Sequence, residues 1–158
     1  MENKIDDLSI QYDFGHTNLK LINQFERKMK ISLPDNYVKL LTKHNGVKLF
    51  KNSFNYNDLN NFYEESSISF CCFGNISSTN IDDFQDFDIY GYENVVTFGL
   101  NGGGDYIAFD YRQNPTTNNP SIVIMYHDDH IRDENENLKI RIIKVAESFD
   151  EFLNMLHE

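Results

Sequence analysis

One stretch of the sequence predicts the architecture of the chain: Val95-Val96-Thr97-Phe98-Gly99-Leu100-Asn101-Gly102-Gly103-Gly104-Asp105-Tyr106-Ile107-Ala108-Phe109-Asp110. Two apolar runs flank a turn with three consecutive glycines, which is typical of an antiparallel β-hairpin. Gly102, Gly103 and Gly104 permit the backbone to turn tightly, and Asp105 can accept backbone N–H groups there. We expect Gly103 to need a positive φ, so that its replacement by valine would damage folding.

The first part of the chain predicts a pair of helices. Apolar residues recur at spacings of three and four up to about residue 30, and Thr17 or Asn18 can cap the start of this helix. Pro34 suits the first turn of a second helix, because its missing N–H has no helical partner to lose there. Asn45 and Gly46 predict the end of that helix, since they readily adopt the left-handed conformation of a C-cap.

The rest of the chain predicts strands, loops and a closing helix. Apolar runs predict strands at 47–50, 67–73, 121–126 and 140–145, and polar, Asn-rich segments predict loops at 52–61 and 112–120. One or two acidic helical turns are expected within 81–87. Ser148, with Glu151 three residues later, forms the capping box of a final helix. Together these elements predict one α+β domain, with an antiparallel sheet packed against the helices.

The composition limits the classes of partner. The 158 residues include 25 Asp and Glu against 14 Lys and Arg, which gives a formal net charge of −11. Phosphate contacts come mainly from lysine and arginine, so this balance argues against binding of nucleic acid or an anionic membrane. No apolar run approaches the ~18 residues of a membrane span. The polar first residues contain no apolar secretory core, so we expect a cytoplasmic protein.

The negative charge is concentrated in the middle of the chain. No Lys, Arg or His occurs between Lys51 and Arg112, and ten acids fall in that interval. The interval also contains many aromatic residues: Tyr56, Phe62, Tyr63, Phe84, Phe87, Tyr90 and Tyr92. Carboxylates steer the encounter with a basic protein and aromatic side chains anchor it, so this composition favours a basic protein partner. The alternative is that the acids only keep a small domain soluble.

Two motifs contain residues that are typical of metal or phosphate sites. His127-Asp128-Asp129-His130 offers nitrogen and oxygen ligands for a divalent cation. The four residues are contiguous, however, and a polar turn after the strand at 121–126 explains them better than a metal site. The triple glycine lacks the Lys-Ser/Thr of a phosphate loop and precedes a strand. We therefore expect no catalytic residue, no metal and no cofactor.

Six motifs, in the same order, resemble the SUKH superfamily over about residues 18–156. They are Ile22-Asn23-Gln24-Phe25-Glu26 with Ile31-Ser32-Leu33-Pro34-Asp35-Asn36-Tyr37, Leu41-Thr42-Lys43-His44-Asn45-Gly46, the Gly-Gly-Asp hairpin from Phe98 to Arg112, Pro120-Ser121-Ile122-Val123, and Ala146-Glu147-Ser148-Phe149-Asp150-Glu151-Phe152-Leu153. The resemblance implies a single domain over residues 1–158, without catalytic residues to transfer. In this reading Pro34, Asn45, Gly46, Ser148 and the turn from Gly102 to Asp105 are determinants of the fold.

Bacterial members of that superfamily are immunity proteins that neutralise polymorphic or contact-dependent toxins, often nucleases, and fungal relatives regulate cell-wall synthesis. The resemblance therefore implies a protein that binds a cognate basic toxin domain. The residues that we predict to contact it are Asp82, Asp83, Asp86, Asp88, Tyr90, Tyr92 and Glu93, followed by Glu64 and Glu65. Two alternatives stay open: a cytoplasmic regulator or scaffold, and a metal-dependent hydrolase using His127, Asp128, Asp129 and His130. The sequence also leaves homo-oligomerisation open.

Overall fold

Residues 5–158 are described by the computed structural model, and they form helices and antiparallel strands of the predicted α+β class. The helices are α1 (Leu19–Met29), α2 (Asp35–Lys43), α3 (Phe87–Tyr90) and α4 (Phe149–Met155), with a short 3-10 helix at Ile81–Phe84. The strands are β1 (Ile10–Tyr12), β2 (Lys48–Leu49), β3 (Ser53–Asn57), β4 (Tyr63–Ser67), β5 (Ser69–Phe70), β6 (Val95–Leu100), β7 (Tyr106–Asp110), β8 (Ser121–Arg132) and β9 (Leu138–Ala146). Over the described residues, the helices are too short or too polar to cross a membrane.

The helix pair is confirmed, and side chains fix where each helix begins. The side chain of Asn18 accepts the Lys20 N–H at 2.9 Å, which makes Asn18 the cap of α1. A carboxylate oxygen of Glu26 accepts the Leu33 N–H at 2.8 Å and so holds the link to α2 against α1. Pro34 lies directly before α2 with a φ of −58°, which a proline ring adopts without strain.

Asn45 and Gly46 follow α2 and perform two different tasks. Only Gly46 adopts a positive φ, of 58°, and a Cβ added there would lie 2.8 Å from the Cβ of Cys72. Asn45 is buried, and its side chain accepts the Phe73 N–H at 2.9 Å and donates to the Phe73 carbonyl at 3.0 Å. The expectation that Asn45 serves as part of a left-handed cap is therefore wrong, because its amide instead ties the end of α2 to a distant segment.

The central sheet has five antiparallel strands in the order β5-β6-β7-β8-β9. The predicted hairpin is confirmed as β6 and β7, which pair Val95 with Asp110 and Leu100 with Tyr106. In its turn only Gly104 has a positive φ, of 89°, while a Cβ added to Gly103 would meet nothing closer than 3.6 Å. The prediction that Gly103 needs a positive φ is therefore wrong, and Gly104 is the residue with that conformation. The side-chain oxygen of Asn101 accepts the N–H groups of Gly103 and Asp105, which holds the turn from inside.

The Asn-rich segment at 52–61, predicted as a loop, contains a strand instead. β3 pairs along its whole length with β4, from Ser53 opposite Ser67 to Asn57 opposite Tyr63. Phe54 and Tyr56 alternate inward along β3 while its asparagines face outward, so one buried face is enough to form the strand. The single strand predicted at 67–73 is divided between the end of β4 and β5. β1, which pairs with β2, was not predicted.

β8 continues six residues beyond its predicted end at Tyr126. Residues 127–130 were predicted as a polar turn, but they lie within the strand and His130 pairs with Ile140 of β9. A shift of register between Tyr126 and His130 marks an irregularity at this point. Polar side chains are tolerated in this part of β8 because His127, Asp128 and His130 reach solvent.

The main core is aromatic and lies between the sheet, α2 and α4. The rings of Phe98 and Phe109 stack with centroids 4.0 Å apart, and Tyr37 and Phe149 pack edge-on against them. All four side chains are buried. Ser148 caps α4 as predicted, since its hydroxyl accepts the Glu151 N–H at 3.1 Å. Because Ser148 is the cap, α4 begins at Phe149, and the side chain of Phe149 packs into the core.

Two adjacent thiols also lie in the interior. Cys71 and Cys72 are free and both are 0% exposed. Burial raises the pKa of the Cys71 thiol, and the neighbouring Cys72 adds to that effect. Both cysteines therefore act as small core side chains.

Candidate protein-binding surface

The nine residues predicted to contact a partner lie on two separate elements. Asp82, Asp83, Asp86, Asp88, Tyr90, Tyr92 and Glu93 lie on the segment 81–93, which contains the 3-10 helix and α3 and is called here the helical segment. Glu64 and Glu65 lie on β4 beside the loop that joins it to β3. Residues 57–65 are called here the hairpin tip.

Cations from other parts of the chain approach the helical segment. Asp82 forms an ion pair with Lys28 of α1 at 3.3 Å. A groove of about 630 Å³ runs beside the segment, and its lining includes Asp88 and Glu93 together with Lys28 and Lys139. Lys28 and Lys139, which come from distant parts of the chain, therefore offset part of the negative charge of the helical segment. This part of the surface has mixed charge.

Two residues of the helical segment have structural tasks. The side chain of Asp86 accepts the Ile89 N–H at 3.2 Å and so caps α3. Tyr90 is only 1% exposed, and its hydroxyl donates to the Phe84 carbonyl and lies 3.0 Å from the hydroxyl of Thr97. The prediction that Tyr90 contacts a partner is corrected, because α3 turns this ring into a second, smaller core beneath the sheet.

Tyr92 lies at the surface between two cations. The guanidinium carbon of Arg112 is 4.8 Å from the centroid of its ring, and the ammonium of Lys139 is 4.9 Å from it. The Tyr92 hydroxyl donates to the Ile140 carbonyl at 3.1 Å. These cation–π contacts hold the Tyr92 ring in place and cover part of its surface, so less of the ring is accessible to a partner.

The hairpin tip exposes apolar and acidic side chains together. Leu59, Phe62 and Tyr63 are 61%, 65% and 75% exposed, the highest values among the large apolar side chains of the described residues. Glu64 and Glu65 follow them and are also exposed. Within residues 5–158, neither carboxylate forms an ion pair with a lysine or arginine, and Glu65 lies 3.9 Å from His157. This surface therefore combines exposed apolar side chains with exposed carboxylates.

In the prediction from the sequence, Glu64 and Glu65 come second, and Phe62 and Tyr63 belong only to the aromatic residues of the middle segment, without a predicted contact. The sequence nevertheless contains a pattern that predicts this hairpin. Phe54 and Tyr56 alternate with polar residues, which is the period of a half-buried strand, and a second polar strand after a short loop would complete a hairpin. Leu59 and Phe62 lie in that short loop, outside the buried face of the hairpin, and are therefore exposed.

The hairpin tip borders the β6–β7 turn and the start of the β8 irregularity. The side-chain nitrogen of Asn101 donates to the Ser66 hydroxyl and to Asp105, at 3.1 Å in each case. The hydroxyls of Tyr56 and Tyr126 lie 2.5 Å apart. Burial raises the pKa of Tyr126, and the negative charges of Glu64, Asp58 and Asp105 raise it further despite the hydrogen bond from Tyr56. Carboxylates of the hairpin tip and of the β6–β7 turn therefore add to the negative field at Tyr126.

The cluster of four residues predicted as a metal alternative is not brought together. Asp129 pairs instead with Arg141 at 2.6 Å. His127 and Asp128 approach Asp105, and the possible ligand atoms of these three residues lie within 4.8 Å of one another. Asp105 is already engaged, since one of its oxygens accepts the backbone N–H of His127 at 3.0 Å and lies 2.6 Å from the Nδ1 of that residue. The hydrogen bond to Asp105 raises the pKa of His127 above its usual value.

Comparison with known protein families agrees with this arrangement of helices and hairpin. Residues 17–155 match the SMI1 / KNR4 family (SUKH-1). The chain belongs to the SUKH-1 family. The match includes the helix pair, the hairpin and α4, and it confirms the resemblance that the motifs indicated. Membership places the chain among immunity proteins and regulators that bind other proteins. Searches of curated proteins and of solved structures gave no significant match.

Proposed function

We propose that this SUKH-1 protein is an immunity protein that binds and neutralises a cognate toxin domain in the cytoplasm. The partner is a basic domain, and a nuclease fits best. A nuclease must hold phosphates in a cationic groove, and an acidic protein can occupy that groove in place of the substrate. The protein acts by binding alone, so the proposal assigns no catalytic residue and no cofactor.

One observation carries the proposal: the cation-free middle of the chain presents carboxylates to solvent on both the helical segment and the hairpin tip. Asp83, Asp88 and Glu93 are exposed on the former, and Glu64 and Glu65 on the latter. Burial raises the pKa of Tyr106, and the charges of Asp86 and Asp105 raise it further. Asp86 belongs to the helical segment and Asp105 to the β6–β7 turn, so carboxylates of both elements act on Tyr106, which supports a negative field that can attract a cationic partner.

The test is co-expression with the product of the neighbouring gene, followed by measurement of toxicity, of cell survival and of binding by the purified proteins. We expect wild type to restore growth and to bind with an affinity that falls as salt is added. The most useful charge reversal is Asp83→Lys, Asp88→Lys and Glu93→Lys, because it spares the ion pair of Asp82 and the helix cap of Asp86. Growth arrest in the presence of wild-type protein that folds and accumulates would reject the proposal.

The second candidate is a regulator or scaffold that binds a cytoplasmic protein without any toxin. Family membership also supports it, because the chain matches the SMI1 / KNR4 family and the resemblance implies regulators among the fungal members. The neighbouring gene separates the two candidates. A large protein with a basic C-terminal domain beside this gene favours immunity, and a purified complex with an unrelated cellular protein favours regulation.

A further inference from the structure

We propose that the hairpin tip is the anchor of the interface, with Phe62 and Tyr63 inserting into an apolar pocket bordered by cations on the toxin domain. This inference rests on the proposed function and identifies the part of the surface that recognises the partner. It also changes the order of importance predicted from the sequence, in which the helical segment came first.

The loop of the hairpin tip is held in one shape by its own hydrogen bonds. The side chain of Asp58 accepts the N–H groups of Asn60 and Phe62, at 2.8 and 2.9 Å. The backbones of Asp58 and Phe62 are also joined, at 3.0 Å. Leu59 and Phe62 are therefore exposed by an ordered loop. A loop ordered before binding loses less conformational entropy in a complex, which favours affinity.

The base of the hairpin is fixed to the rest of the molecule. Phe54 is 0% exposed and packs on Phe152 of α4, with ring centroids 5.2 Å apart. The backbone of Ser53 exchanges two hydrogen bonds with that of His157, at 2.8 and 2.9 Å. The hydroxyl contact between Tyr56 and Tyr126 joins the same hairpin to the five-stranded sheet. The exposed rings therefore project from a rigid support, as anchoring residues require.

The charges around the tip identify the kind of partner. Glu64 and Glu65 lie on β4 directly after Tyr63, and Asp105 and Asp128 lie across the neighbouring turn. Exposed rings among carboxylates disfavour an acidic partner or a lipid surface, because either would place like charges together or leave carboxylates against anionic headgroups. A protein surface with lysines or arginines around an apolar depression complements both features. By comparison, the exposed Ile89 and Leu138 belong to the region of mixed charge.

The experiment compares matched variants in binding to the purified toxin domain that the co-expression test identifies. Phe62→Ala with Tyr63→Ala removes the two rings, and Tyr12→Ala with Phe50→Ala is the control that removes two rings of 55% exposure each, outside both the helical segment and the hairpin tip. We expect the hairpin variant to raise the Kd at least about 30-fold, which corresponds to the loss of one anchoring residue. The control should change the Kd less than about threefold. All four substituted residues are exposed, so circular dichroism and thermal melting should match wild type.

Charge is tested separately. Glu64→Lys with Glu65→Lys should slow association about tenfold or more at low salt and weaken its dependence on salt. The control is Glu134→Lys with Glu136→Lys, which changes the net charge equally in the exposed turn between β8 and β9. Hydrogen exchange on the unmodified complex gives a readout without substitutions, and we expect protection of amides within 57–65.

The outcomes separate the two proposals. If wild type binds and neutralises the toxin while the hairpin variants bind equally well, the hairpin inference is wrong and the immunity function stands. If wild type neither binds nor neutralises it, the proposed function is wrong and this inference fails with it. A concentration-dependent dimer that protects 57–65, without toxin binding, would show that a second copy occupies this surface and would also overturn the inference.

Discussion

Replacement of Asn45 by alanine is the most informative test of the fold. The side chain of this residue makes two hydrogen bonds to the backbone of Phe73, one as acceptor and one as donor. These bonds connect the end of α2 to the segment that follows β5, 28 residues further along the chain. Alanine would leave both the N–H and the carbonyl of Phe73 without that partner in a buried place.

The magnitude follows from the two backbone groups. A buried polar group that loses its partner costs about 1–3 kcal/mol, so two of them cost about 2–6 kcal/mol in the free energy of unfolding. Water can enter part of the space left by the amide, so we expect the lower half of that range, about 2–4 kcal/mol. For a domain of this size each kcal/mol lowers the melting temperature by about 2–4 °C. Asn45→Ala should therefore melt roughly 4–16 °C below wild type.

Urea unfolding followed by circular dichroism measures this difference, with Asn135→Ala as the control. Asn135 is exposed in the turn between β8 and β9, so its replacement should change the free energy of unfolding by less than about 0.5 kcal/mol. If Asn45 served only as part of a helix end, alanine would cost about 1 kcal/mol or less. A loss of that size, or equal effects of the two substitutions, would refute the role that we assign to the amide.

Three further predictions concern the β6–β7 turn, its neighbour on β8 and the cap of α4. Gly104→Ala should lower the free energy of unfolding by about 1–2 kcal/mol because of its positive φ, whereas Gly103→Ala should change it by less than about 0.5 kcal/mol; equal denaturation midpoints would contradict this. The imidazole of His127, titrated by NMR, should have a pKa above 6.5, and Asp105→Asn should lower it. Because folding raises the pKa of His127, the stability supplied by its pair with Asp105 is fully present below about pH 6.5 and is lost as pH rises through the raised pKa. A pKa of His127 that Asp105→Asn leaves unchanged would reject the pairing. Ser148→Ala should destabilise the protein by about 1 kcal/mol in thermal melts through loss of the α4 cap, and an unchanged melting temperature would show that the cap is dispensable.

The sequence predicted those parts of the fold whose signals are local. The spacing of Ile22 and Phe25 on α1, the serine cap of α4 and the apolar runs of β6 and β7 each indicate an element without reference to the rest of the chain. β3 and the end of β8 were not predicted because both are rich in polar residues. Such a segment still forms a strand when one of its faces is buried or when it pairs with a neighbouring strand. Their strand conformation is fixed by pairing with β4 and β9, which a reading of local composition does not include.

The candidate surface stays a prediction, and the structure adds tertiary contacts to it that the sequence does not contain. The acid-rich middle of the chain does reach solvent, but the sequence could not show that Lys28 and Lys139 approach the helical segment from distant parts of the chain. Nor could it show that α3, only four residues long, turns Tyr90 inward. Ion pairing and burial both depend on the tertiary arrangement, and for that reason charge counted along a sequence overestimates the charge of a surface.

The burial of Cys71 and Cys72 has a practical consequence for work on this protein. Thiol reagents attack the thiolate, and here one thiol has a raised pKa while neither is accessible to solvent. A single cysteine introduced in place of the exposed Asn60, close to the two proposed anchoring rings, should therefore react with a maleimide dye while both native cysteines are kept. A fluorophore attached at that position would report the approach of another molecule to the hairpin tip in real time.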